Sequence, residues 1–60
     1  MEMNLPKDPA MLLSFVNLKL RDQYASLDAL CEDMQAEKNA ICEKLAQIDY
    51  EYDPVHNQFV

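Results

Sequence analysis

Apolar positions recur every three or four residues along three stretches of this chain, then switch to every second residue near the C-terminus. The first period belongs to an amphipathic helix and the second to a strand with one packed face. In the first stretch Leu13, Val16, Leu20 and Tyr24 share a stripe, widened by Leu12 and Phe15. Asp8-Pro9 marks its start. An Asp N-cap accepts orphan backbone N–H bonds, and Pro at the first helical position has no N–H to leave unpaired. The pattern predicts a helix over residues 9–22, after a lead-in over residues 1–7. Met11 and Leu18 fall outside the stripe, so this helix is apolar around much of its girth. It is therefore either the central helix of the fold or a helix that also makes an intermolecular contact.

Ser26 is the next N-cap, and Leu27, Leu30, Cys31 and Met34 form the stripe of a short helix over residues 27–34. Ala29 stands where a full capping box carries Glu or Gln. A break at Gln35-Ala36 precedes a third helix over residues 37–48, which buries Ala40 or Ile41, then Leu45 and Ile48. The pair has the pattern of a helix-turn-helix. Cys31 supplies the small residue needed where the helices cross, and Gln35 stands at the turn, where left-handed backbone favours Gly. From Asp49 the period becomes two: Tyr50 and Tyr52 alternate with Asp49, Glu51 and Asp53. Asp53-Pro54 opens a turn, Asn57 closes it, and Gln58-Phe59-Val60 returns. Such a hairpin, over residues 49–60, must lean on the helices through Tyr50, Tyr52 and Phe59. The expected fold is mainly α: one domain, residues 1–60, a three-helix helix-turn-helix-like bundle with a short C-terminal β-hairpin, in effect a minimal winged helix.

Charge complicates that picture. The net charge is −6, and residues 26–60 hold all of it, with eight acids against two bases, Lys38 and Lys44. A DNA-reading helix presents Arg, Lys, Asn or Gln at its early exposed positions. Here those positions are Lys38, Asn39, Cys42 and Glu43, and the helix before them shows Asp28, Glu32 and Asp33 where phosphates would lie. The would-be wing carries Glu51 and Asp53 and no Lys or Arg. A phosphate backbone is repelled by such a half. These seven helix residues are instead a candidate surface for a protein partner or for a second copy of the chain, and the expectation is a non-enzymatic interaction module. The alternative is a nucleic-acid-binding regulator, using a local basic patch from Lys7, Lys19 and Arg21.

Other chemistry finds little purchase. Cys31 and Cys42 are eleven residues apart, which matches no compact zinc spacing, and His56 is the sole histidine. Neither a metal nor a cofactor is expected. Cys31 reads as a small core residue, Cys42 as a partly exposed thiol and His56 as a polar turn residue. With no Gly in the chain there is no phosphate-cradling loop. No nucleophile, base and orienting group fall into a recognisable set, so no catalytic residues are expected. The longest apolar-rich run, residues 10–20, is interrupted by Ser14, Asn17 and Lys19 and is too short to span a bilayer. It follows no basic n-region. The two cysteines then fit reduced thiols in a cytoplasm.

Asn4-Leu5-Pro6-Lys7-Asp8-Pro9, Leu12-Leu13-Ser14, Asn17, Lys19-Leu20-Arg21-Asp22, Ser26-Leu27-Asp28, Leu30-Cys31 and Tyr50-Glu51-Tyr52-Asp53 through Asn57-Gln58-Phe59 together give the chain a wider kinship. It resembles a family of very short bacterial proteins, about as long as this chain, classed as a domain of unknown function. The resemblance covers nearly the whole length, and the two ends are its most specific parts. It implies a stand-alone cytoplasmic bacterial protein and brings no activity, substrate or site residue. Ala29 departs from the acidic residue expected after Ser26-Leu27-Asp28.

Overall fold

The computed structural model describes residues 5–60. Met1, Glu2, Met3 and Asn4 of the expected lead-in lie outside the described residues. Three helices, α1 (Pro9–Asp22), α2 (Leu27–Met34) and α3 (Lys38–Ala46), precede two short strands, β1 (Tyr52–Asp53) and β2 (Gln58–Phe59). The strands pair antiparallel, with Tyr52 opposite Phe59 and Asp53 opposite Gln58. The structure is a mainly α domain with a terminal hairpin.

The caps explain the helix starts. Asp8 accepts the Met11 N–H at 3.1 Å with Pro9 at the first helical position. Ser26 Oγ accepts the Ala29 N–H at 3.1 Å, half of a capping box, and Ala29 has no side-chain acceptor to return the bond. Glu37 caps α3 with backbone alone.

The ends use left-handed residues in a chain without Gly. Gln35, Asp49 and Asn57 have φ of 55°, 64° and 53°. At Gln35 the Ala36 N–H reaches the Cys31 carbonyl and the Gln35 N–H reaches that of Glu32; at Asp49 the Tyr50 N–H reaches Leu45 and the Asp49 N–H reaches Ala46. Both are Schellman closures, which satisfy carbonyls the helix leaves open. The second corrects two expectations. Helix α3 ends at Ala46 rather than at residue 48, and Asp49 is left-handed rather than extended, so the strand starts at Tyr52. Left-handed backbone strains any side chain with a Cβ. Gln35→Gly should therefore raise the unfolding free energy by about 0.5–1 kcal/mol, read as a higher urea midpoint at unchanged slope. A lower midpoint would show that Gln35 carries no strain.

The core comprises Leu12, Val16 and Leu20 of α1, Leu27, Leu30, Cys31 and Met34 of α2, Ile41 and Leu45 of α3, and Phe59 of β2. Helix α1 packs against α2, α3 and β2, which makes it the central helix. Its buried stripe runs 12, 16, 20, so Leu12 rather than Leu13 lies at the centre, while Leu13, Phe15 and Tyr24 flank it half-buried. Spacing by fours is the ridge that a crossing helix accepts. Of the two α3 alternatives, Ile41 is buried and Ala40 exposed, and Ile48 is half-buried in the Schellman turn.

The hairpin is held by three polar side chains. Glu51 and Val60 exchange both backbone bonds, at 2.9 and 2.8 Å. The alternation of antiparallel pairing then turns the N–H and C=O of Phe59 outward. Asn17 of α1 takes both: its Oδ1 accepts the Phe59 N–H at 2.8 Å and its Nδ2 donates to the Phe59 carbonyl at 3.1 Å. One amide thus closes the sheet edge as a neighbouring strand would. Asn57 Nδ2 donates to the carbonyls of Leu20 and Tyr24, at 3.0 and 2.9 Å, near the C-terminal end of α1. The Tyr52 hydroxyl donates to Asn57 Oδ1 at 2.6 Å and accepts the Leu27 N–H at 3.2 Å. The hairpin therefore caps the end of α1 and the start of α2 together. The Tyr52 and Phe59 rings meet at 5.5 Å, tilted by 54°.

Candidate functional site

The α2–turn–α3 unit with its hairpin presents the expected surface, but the structure divides it. Asp28, Glu32 and Asp33 on α2 and Lys38, Asn39 and Glu43 on α3 are exposed, and Cys42 is half-buried. Asp28 and Lys38 come together: Lys38 Nζ lies 2.9 Å from Asp28 Oδ1. The hydrogen bond and charge of Asp28 hold the Lys38 ammonium above its ordinary pKa. Asp33 is turned the other way. Its carboxylate accepts from the Tyr24 hydroxyl, which pushes the Tyr24 pKa up. Lys44 Nζ donates to the Lys7 carbonyl at 2.9 Å. Both bases of the C-terminal half are thus engaged inside the chain, one by a carboxylate and one by the lead-in.

Of the bases of the first half, Lys7 precedes the N-cap of α1, whereas Lys19 and Arg21 lie in its last turn. Lys19 Nζ sits 5.5 Å from the centroid of the Phe15 ring, and Arg21 binds Asp22 at 3.0 Å. The Arg21 hydrogen bond lowers the Asp22 pKa, and Asp22 raises that of Arg21.

Two grooves flank the hairpin. A groove of about 700 Å³ lies between α1 and the turn, where Leu13 and Leu18 face His56 and Asn57, with Arg21 at the side. Its two potential cations already have acidic partners, Asp22 for Arg21 and Asp53 for His56. The other groove, about 400 Å³, runs between α3 and the hairpin. Cys42, Ala46, Tyr50 and Phe59 make it largely apolar, and the exposed Glu43 and Glu51 stand along it. Sequence reasoning grouped Cys42 and Glu43 with α2 and missed Ala46 and Tyr50 as their neighbours. The signal was the Tyr50/Tyr52 alternation, which marked packing residues without showing which helix they faced.

The thiols differ. Cys31 is in the core, and burial first, then the nearby Cys42 and Asp28, pushes its pKa up. Thiolates are the reactive form. Under native conditions iodoacetamide should add one label, at Cys42, and a second only in denaturant. Equal native rates at both thiols would contradict this packing. Among the described residues no group of three or more His, Cys, Asp or Glu is placed to hold a metal ion.

Asp53 belongs to its turn. Its carboxylate accepts the Val55 N–H at 2.9 Å and contacts His56 Nδ1 at 2.7 Å. The His56 contact, aided by the backbone bonds, holds its pKa low. A depressed carboxylate adds stability above its unfolded pKa, and that part is lost as pH falls toward the folded value. Asp53→Asn should flatten the acid limb of the pH–stability curve; an unchanged limb would contradict the assignment.

No helix among the described residues is long and apolar enough to cross a membrane. Neither a curated protein nor a solved structure matches the chain. A family model does match, over residues 6–59, and its description is Domain of unknown function (DUF4250). Asn17, Leu27, Tyr52, Asn57 and Phe59, which build the hairpin clamp, all lie within the matched span. The chain belongs to the DUF4250 family.

Proposed function

We propose that this chain is a non-enzymatic protein-interaction module of a bacterial cytoplasm, and that its α2–α3–hairpin side receives a partner with a basic surface. The supporting observation is the state of the two bases on that side. Lys38 is paired with Asp28, and Lys44 is drawn to the lead-in, at 2.9 Å each. Glu32, Glu37, Glu43 and Glu51 remain exposed there. That field attracts Lys and Arg and repels phosphate. An exposed ion pair is worth about 0–1 kcal/mol, so the attraction steers more than it holds, and apolar contacts supply the rest.

A second copy is the other candidate partner. Met11 and Leu18, 64% and 48% exposed, lie on the outer side of α1. Self-association would bury them, at the expense of bringing two chains of charge −6 together. Sedimentation at rising salt separates the cases: a monomer throughout supports the foreign partner, and a dimer that strengthens with salt supports the second copy.

The direct test uses the chain as bait in a nuclease-treated bacterial lysate, beside a Glu32→Gln, Glu43→Gln, Glu51→Gln bait. A basic protein that elutes from the wild-type bait with salt, and is missing from the neutralised one, is the expected result. Equal recovery by both baits would overturn the acidic-face assignment.

A further inference from the structure

We infer that the groove between α3 and the hairpin is the seat of the partner, and that it takes one apolar side chain flanked by Lys or Arg. The inference rests on the interaction-module assignment and narrows it to one site and one chemistry. The groove has room for a side chain, about 400 Å³, and its walls are Cys42, Ala46, Tyr50 and Phe59. Phe59 is fixed by the two Asn17 bonds and Tyr52 by those to Asn57 and Leu27, so the hairpin wall is pre-formed. A pre-formed wall spares a ligand the ordering cost that weakens binding to loose surfaces. Binding energy concentrates where one side chain fills a well-packed, desolvated pocket.

Charge decides the occupant. Glu43 stands on the helix side and Glu51 on the hairpin side, both exposed and without an ion-pair partner among the described residues. An apolar anchor between two carboxylates is matched by an apolar residue between two cations. A polyanion is repelled from both sides, and a second copy, with its own −6, is repelled as a whole. The two bases of α3 have other partners, Asp28 for Lys38 and the Lys7 carbonyl for Lys44.

Cys42 makes the occupancy readable, because its thiol lines the groove while Cys31 is buried in the core. The probe is a fluorescein-labelled peptide with one Leu between lysines, alongside versions with Ser for Leu and with Glu for Lys. Fluorescence anisotropy gives the affinity, and iodoacetamide labelling of the full-length chain, followed by mass, gives the rate at Cys42. The Leu peptide should bind and slow Cys42 labelling. Ser for Leu should weaken binding by about tenfold, and Glu43→Gln with Glu51→Gln by about fivefold. The Glu peptide should not bind. Cys31 labelling should stay slow in every sample, which checks that the variants remain folded.

A bound peptide that leaves the Cys42 rate unchanged overturns the groove and leaves the interaction module standing. Absence of peptide binding, with salt-eluted capture of a basic protein intact, overturns the groove alone. Failure of both removes both. Slowing of Cys42 labelling by the chain's own concentration, without peptide, overturns the basic occupant in favour of a second copy.

Discussion

Asn57→Ala should lower the unfolding free energy by about 3 kcal/mol, roughly 1 kcal/mol for each of three hydrogen bonds. Its amide donates to the Leu20 and Tyr24 carbonyls and accepts from the Tyr52 hydroxyl. Among the described residues, no other side chain joins the hairpin to the end of α1 and, through Tyr52, to the start of α2 in this way. Left-handed backbone at φ 53° adds to the cost, since Ala tolerates it less well than Asn. A small series separates the parts. Asn57→Gly relieves the backbone and still loses all three bonds, so it should fall slightly less than Ala. Asn57→Asp keeps the acceptor for Tyr52 and turns a carboxylate toward two carbonyls, so it should fall at least as far. Urea denaturation measures all three. A loss under about 1 kcal/mol for Ala would mean that water replaces the clamp at little cost.

Leu30→Ala should be as severe for a different reason. Leu30 is fully buried where α2 meets the rest of the core. Removing a buried Leu side chain costs about 2–5 kcal/mol, part transfer and part cavity. A domain of this length has on the order of 3–9 kcal/mol in hand, so the variant should melt near ambient temperature. Leu30→Met, which keeps the volume, should lose less than about 1.5 kcal/mol. Leu18→Ala, on the exposed side of α1, should stay within about 0.5 kcal/mol of the parent. Cys31, next to Leu30 in the core, should become labelled faster in Leu30→Ala by the extent of that destabilisation. An unaltered Cys31 rate would show that the core closes over the gap.

The elements were legible because their signals are local. Asp8-Pro9 and Ser26 act within three residues of themselves, and the left-handed Gln35 and Asn57 were visible as turn residues. The centre of the first stripe was misplaced by one position. Leu12 and Leu13 are equivalent to a helix in isolation, and packing against the other elements chooses between them. Asp49 read as extended because Tyr50 and Tyr52 alternate, whereas the Schellman closure of α3 claims that residue first. The clamp was not legible at all. Asn17 lies 42 residues from Phe59 in sequence, and neither its place as a polar interruption in an apolar run nor its part in the family resemblance points to that partner. The acidic surface was visible as composition, but the partners of its bases were not. Asp28 and Lys38 both belonged to the expected face, and only the crossing of α2 and α3 brings them to 2.9 Å. The partner of Asp33, the Tyr24 hydroxyl, was not legible either.

The fold thus sets three helices against a terminal hairpin, with exposed carboxylates on α2, α3 and the hairpin and both local bases engaged within the chain. The most direct measurement is fluorescence anisotropy of a labelled random DNA duplex titrated with the chain at low salt, beside the Leu–Lys peptide in the same buffer. Saturable binding of the peptide and none of the duplex is the predicted result. Saturable binding of the duplex that falls steeply as salt rises would contradict it, because that slope counts phosphates neutralised by the protein.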